Sequence, residues 1–326
     1  MHDDASAETK QLVGEDTVKK LSRKDILTCQ DLSRKDGWLV FETAKEMKDA
    51  HYQGKEKKIL DGKNLGMIFE EPSTRTRISF EIAMNHLGGH ALYLRPGEIH
   101  LGGRETVGDT ARVISRYVDA IMARLFKHEM LTELAEYATI PVINGLTDWF
   151  HPVQALTDVY TIWERFGNLA NIKVAFFGDA TNVANSLLVL TSKLGISFTL
   201  CGPRKYWPKE RVMRMVEENV KETAVAPTLT ENIDEAVHDA DVIYTDVWWW
   251  FGQEEEAEER EKRFSPYQVN THLMRKAPKN TVFMHCLPAS RGMEVTDTVI
   301  DGPQSIVLDQ AENRLHVEKA ILVLLI

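Results

Sequence analysis

Residues 64–87 read NLGMIFEEPSTRTRISFEIAMNHL. Asn64 to Phe69 is a short apolar run without alternation, the pattern of a strand covered on both faces. Pro72, Ser73 and Thr74 then carry helix-start chemistry. Phe80, Ala83, Met84 and Leu87 recur at the spacing of one helix face, and Gly88-Gly89 ends the helix. A strand feeding directly into a helix is the repeating unit of a parallel sheet with crossover helices.

The same unit recurs along the chain. HALYL (90–94), VDAIMAR (118–124) and TIPVING (139–145) read as further strands of the first half. KVAFFGD (173–179), SFTLCGP (197–203), DVIYTDVW (241–248), TVFMHCLP (281–288) and SIVLDQ (305–310) read as strands of the second. Helical stretches such as Arg75 to Leu87 and Gln154 to Phe166 separate most of them. The fold class expected is α/β, with two domains, each a parallel sheet flanked by helices. A chain of 326 residues, 43% of them hydrophobic, can fill two cores. The seam falls near Phe150, giving domains 1–150 and 151–309, with a last helix over 310–326. Segments 1–63 and 204–237 are charged and read as mostly helical.

Composition excludes several functions. Lys and Arg number 39 against 49 Asp and Glu, a net charge of -10, so nucleic acid is a poor partner. Local charge can still receive one small anion. Cys29, Cys201 and Cys286 are odd in number and far apart, which argues against a disulfide framework and against a CxxC metal site. No His, Cys and carboxylate cluster has metal-ligand spacing. No apolar run reaches membrane-spanning length, and MHDDASAETK at the N-terminus has no apolar signal core. A cytoplasmic protein without membrane contact is expected.

Four places carry chemistry. Glu71-Pro72-Ser73-Thr74-Arg75-Thr76-Arg77 opens a helix, whose free N–H groups, hydroxyls and guanidinium suit an anion. Arg124 ends a strand, where α/β sheets bind ligands. His151-Pro152-Val153-Gln154 starts a helix with two groups able to bond a carbonyl or an amide. His285-Cys286-Leu287-Pro288 ends a strand, where neighbouring side chains point to opposite faces, so no thiol–imidazole pair is expected. Taken singly, these are equally a capped helix, surface arginines and an inert buried cysteine. KVAFFGDA lacks GxGxxG, which weighs against a nicotinamide-dependent oxidoreductase.

Taken together and in this order, STRTR, HPxQ and HCLP resemble the signature segments of the aspartate/ornithine carbamoyltransferases. The resemblance runs from about Asn64 to Ile326 and includes YVDAIMAR, PVINGLTD and DQAENRL. HCLP and GQEEE (252–256) are similar to the ornithine-like branch, while YLRPGEIHLGG (93–103) and TDTVIDG (296–302) are similar to the putrescine enzymes on that branch. The resemblance implies a first domain that binds carbamoyl phosphate, a second that binds the amine, and a last helix that returns to the first domain. It implies that Ser73, Thr74, Arg75 and Thr76 hold phosphate. Arg124 then reaches phosphate and carbonyl oxygens, His151 donates to the carbonyl oxygen, Gln154 holds the carbamoyl amide, and Arg314 closes over the group. His100 matches a residue supplied by a neighbouring subunit of a homotrimer. Asn182, Asp246, Cys286 and Leu287 match amine-site positions, and no metal or organic cofactor is implied.

One stretch departs from the family. Ornithine enzymes carry Asp-x-x-x-Ser-Met-Gly where this chain has Asp246-Val247-Trp248-Trp249-Trp250-Phe251-Gly252. Trp250 and Phe251 offer fewer donors for an α-carboxylate and more apolar surface for a methylene chain. The acceptor expected from this departure is a diamine such as putrescine, with ornithine as the alternative.

Overall fold

The structure is a computed structural model that describes residues 20–95, 97–249 and 253–326. Two all-parallel sheets form the frame. The first holds β1 (Asn64–Phe69), β2 (His90–Leu94), β3 (Ala120–Arg124) and β4 (Val142–Leu146), in the order β2-β1-β3-β4. The second holds β5 (Lys173–Phe177), β6 (Ser197–Cys201), β7 (Thr228–Thr230), β8 (Val242–Thr245) and β9 (Val282–Met284), in the order β7-β6-β5-β8-β9. Gly66 pairs with both Leu92 and Ile121, and Ala175 with both Thr199 and Ile243, so β1 and β5 are central. This accounts for their unalternating apolar runs.

In each sheet the chain first winds to one side of the central strand and then crosses to the other. The reversal lies between β1 and β3 in the first sheet and between β5 and β8 in the second. Such switch points open a crevice beyond the strands' carboxyl ends. Glu70, Arg124 and Leu146 lie at those ends in the first sheet. Thr181, Asp246 and Cys286 follow β5, β8 and β9 in the second.

Two helices join the halves. Pro152–Phe166 is buried continuously from Pro152 to Ile162, so it lies inside the molecule rather than on a surface. Val307–Leu325 packs against Pro152–Phe166 and also against the helices Arg34–Tyr52 and Thr74–His86. One hydrophobic cluster runs through Phe41, Phe80, Tyr160, Leu187 and Val317, elements of both halves. Among the described residues, no helix is long and apolar enough to cross a membrane.

One expectation is corrected here. SIVLDQ is not a strand: Ser305 makes one isolated bridge to Phe283, and the last helix already begins at Val307. Val307, Gln310, Arg314 and Val317 are buried at helical spacing, and a run of three apolar residues, Ile306 to Leu308, is too short to reveal its period. The charged segment 204–237 is mostly helical, as expected, and Thr228–Thr230 within it adds edge strand β7 to β6.

Candidate active site

The carboxyl ends of both sheets enclose a cavity of about 440 Å³. Ser73, Arg75, Thr76, Arg124, His151, Gln154, Asn182, Asp246, Cys286, Leu287 and Arg314 all line it. Thr74 is the exposed first residue of its helix and lies outside this lining. His100 is also exposed and outside it, on a loop where its carbonyl accepts from Gly103 and Glu105. Trp250 and Phe251 lie outside the described residues.

The phosphate-type end is built on the N-terminus of Thr74–His86. Ser73 is the N-cap in extended conformation, yet its hydroxyl makes no capping bond. A side chain that normally satisfies the helix is therefore free, beside unpaired N–H groups. Arg75 follows on the first turn and is half-buried. Arg124 arrives from β3, and its Nε is buried without a hydrogen-bond partner. Burial, Arg314 and Arg75 pull the Arg124 guanidinium down to about 10. An unpartnered buried donor among cations is placed to receive an anion.

Arg314 is held from both sides. Its Nε and Nη2 donate to Glu318 Oε1 at 3.0 and 2.8 Å, its Nη1 to Gln154 Oε1 at 2.7 Å, and Nη2 also reaches Thr76 Oγ1 at 3.3 Å. Glu318 is fully buried, and burial pushes its carboxyl up to about 7 despite Arg314. Gln154 Nε2 donates to Asp158 Oδ1 at 2.8 Å, and Gln310 Nε2 to the same oxygen at 2.7 Å. The Tyr244 hydroxyl donates to Asp158 Oδ2 at 3.0 Å. Gln310 Oε1 accepts the His285 backbone N–H at 3.0 Å. A single buried network thus ties HPVQ, β8, HCLP and the last helix together. Burial pushes Asp158 up to about 7.

His151 is buried at the start of its helix, with Pro152 following. Its backbone N–H donates to Ser186 Oγ at 2.8 Å, which fixes the ring's origin while Nδ1 remains unpartnered. Burial, then Arg314, Arg124 and Arg75, hold its pKa well below the ordinary imidazole value. A neutral ring keeps one N–H donor for an incoming oxygen.

The opposite end is different in character. Asp246 Oδ1 accepts from the Val247 N–H at 2.8 Å and from Cys286 Sγ at 3.2 Å. Burial raises the Asp246 carboxyl, and burial together with Asp246 holds the Cys286 thiol well above its usual range. Asn182 Nδ2 is spent on the Thr147 carbonyl at 2.7 Å. Trp248 turns away onto Phe264, and Arg260 Nε holds its carbonyl at 2.6 Å; Trp249 lines the cavity instead.

The absence of a thiol–imidazole pair has another cause than strand alternation. β9 stops at Met284, and the polar atoms of Asp246, His285 and Cys286 lie within 4.8 Å of one another. His285 Nδ1, however, accepts the Leu287 N–H at 2.8 Å and Nε2 faces Glu294 at 3.2 Å. Neither nitrogen is left for the thiol or for a cation.

Sequence reading missed Trp249, Asp158 and Glu318. The two acids were readable as partners four residues after Gln154 and Arg314. For Trp249 the aromatic run gave a signal without saying which ring turns inward.

Because His151 sits among three cations in a buried site, its ring stays unprotonated through neutral pH. Two-dimensional nitrogen NMR of the ring should show no His151 protonation between about pH 5.5 and 7.5, a unit either side of the free imidazole pKa. An apparent pKa at or above the free value would contradict this site's electrostatics.

Comparison with known proteins accords with this geometry. Residues 24–164 match the family model described as aspartate/ornithine carbamoyltransferase, carbamoyl-P binding domain, and residues 170–325 match the Asp/Orn binding domain of the same family. The anabolic ornithine carbamoyltransferase of Pyrococcus furiosus is 53% identical over 307 residues, 94% of this chain and 98% of that one. The putrescine carbamoyltransferase of Mycoplasma capricolum is 49% identical over 311 residues, 92% of this chain and 85% of that one. The solved Pyrococcus furiosus ornithine carbamoyltransferase superposes with a TM-score of 0.91 at 53% identity, covering 94% of this chain and 98% of that one. The Thermus thermophilus enzyme gives a TM-score of 0.83 at 40% identity, covering 93% and 99%. This chain belongs to the aspartate/ornithine carbamoyltransferase family and is a carbamoyltransferase.

Proposed function

We propose that this chain moves the carbamoyl group of carbamoyl phosphate onto one amine of a small diamine, putrescine being the first choice. Ser73, Arg75, Thr76 and Arg124 hold the phosphate, with Thr74 contributing from the helix start. Arg124 and neutral His151 donate to the carbonyl oxygen as it gains negative charge. Gln154 Oε1 keeps a second lone pair for the carbamoyl amide, and Arg314 closes over it. The neutral amine nitrogen attacks the carbamoyl carbon and a C–N bond forms. The C–O bond to phosphate breaks, and the nitrogen's extra proton passes to the departing phosphate. No protein base is needed, and holding both substrates in one cleft contributes much of the acceleration.

The observation that carries the acceptor choice is the charge layout of the cavity. All three arginines of the lining serve its phosphate-type end, whereas the other end offers Asp246, Cys286, Leu287 and Trp249. That set suits a distal ammonium and a methylene chain, and a buried α-carboxylate would need donors there. Trp250 and Phe251, in place of Ser-Met, extend the same trend in sequence. The second reading is ornithine, favoured by Asn182 and by the ornithine carbamoyltransferases among the relatives. The test is kcat/KM for putrescine against ornithine. Putrescine should lead by ~10-fold or more, and Trp250→Ser/Phe251→Met should shift the ratio toward ornithine by a similar factor. A wild type that prefers ornithine overturns the diamine reading.

The second part of the proposal is a homotrimer, or a multiple of one, whose sites are shared, with His100 of one subunit completing its neighbour's site. Its exposed position outside the chain's own cavity supports this. Inactive Arg75→Ala and inactive His100→Ala subunits should regain part of the activity when mixed and reassembled. No recovery in verified hybrids, or a fully active monomer in sedimentation, contradicts shared sites.

A further inference from the structure

A second group of ligating side chains lies away from this cavity. His51 is next to last in the helix Arg34–Tyr52, Glu56 follows on the loop, and His86 is the last residue of Thr74–His86. That thirteen-residue helix separates His86 from its anion-binding start by about 18 Å. The Nδ1 atoms of His51 and His86 each lie 3.1 Å from the same oxygen, Glu56 Oε1. Neither Nδ1 makes a hydrogen bond, although both are buried atoms. The rings stack with centroids 5.2 Å apart and planes 20° from parallel. Two ring nitrogens converge on one carboxylate oxygen that Lys319 also bonds, and neither nitrogen makes a well-formed hydrogen bond to it.

We propose that His51, His86 and Glu56 bind one divalent transition-metal ion of the zinc class. Ligand atoms about 2.0–2.1 Å from a tetrahedral zinc stand about 3.3 Å apart, close to the spacing seen here. Two imidazoles and a single carboxylate select such an ion over magnesium or calcium, which take oxygen sets. Partial exposure of all three residues leaves a path in and a fourth position for water.

The surroundings link this site to the last helix. Lys319 is fully buried and bonds the same Glu56 Oε1 that the two rings face, so binding must turn the carboxylate until one oxygen keeps the ammonium and the other meets the ion. That positive charge limits affinity. His316 is fully buried, faces Glu312 Oε1 with its Nε2 at 3.5 Å, and lies with its ring centroid 5.6 Å from that of His51. An ion here clamps the ends of two helices against the helix that carries Arg314, and it stabilises the folded chain by mass action.

The test is zinc titration of the full chain by calorimetry, with the melting temperature followed in parallel. Wild type should take up one ion through this group and melt higher in zinc. His51→Ala and His86→Ala should each lose that uptake and that shift. Cys286→Ser, which removes the thiol beside Asp246 and His285, should keep both. Glu56→Gln provides a loop variant should a histidine variant fold poorly. Cobalt in wild type should show d–d bands of a nitrogen and oxygen set without thiolate charge transfer. Zinc uptake unchanged in both histidine variants, uptake lost only in Cys286→Ser, or no uptake at equimolar zinc overturns the proposal.

Discussion

Three guanidinium groups converge on one cavity, and among the described residues only one buried carboxylate, Glu318, bonds any of them directly. Arg75 comes from a helix N-terminus that is itself positive, Arg124 from a strand end, and Arg314 from the last helix. Their repulsion and desolvation weaken Arg124's hold on its proton and keep His151 neutral. An arrangement of this kind is stable only because the surrounding fold over-determines it. Its unmet demand is for an anion, and carbamoyl phosphate brings one in the substrate itself.

The rest of the structure supplies that over-determination. The two switch points place loops from β1 and β3 opposite loops from β5 and β8, so each half contributes one wall. The buried Pro152–Phe166 helix lets His151 and Gln154 face both walls at once. Asp158 then collects bonds from Gln154, Gln310 and Tyr244, so moving the last helix would disturb both substrate ends. Coupling of this kind suits a reaction in which both substrates must be held before chemistry begins.

Much of this was legible in the sequence, for physical reasons. Strands such as NLGMIF and KVAFFGD are central and buried on both faces, so their apolar runs are unambiguous. The helix starts at Ser73 and His151 were marked by proline and small polar residues. What failed was local and short: SIVLDQ contains too few residues to separate strand from helix period, and the three-residue β7 gives almost no pattern. Ser73 was read both as cap chemistry and as an anion contact; it stands at the N-cap, and its hydroxyl makes no capping bond. The long-range partners were invisible, since Arg314 and Gln154 stand 160 positions apart. Of the described tryptophans of the run, Trp248 packs on Phe264 and Trp249 lines the cavity, a division that the sequence pattern does not carry.

The most direct measurement is the melting temperature of wild type and Arg124→Met at pH 7, each with and without inorganic phosphate. A cation whose folded pKa lies below its unfolded value destabilises the fold throughout the neutral range. Arg124→Met should therefore melt higher than wild type without ligand. Phosphate at about 100 times its dissociation constant should stabilise wild type by about 2.7 kcal/mol, and the variant by far less. A variant that melts lower without ligand and keeps the full phosphate shift would contradict the claim that an unmet demand for an anion organises this site.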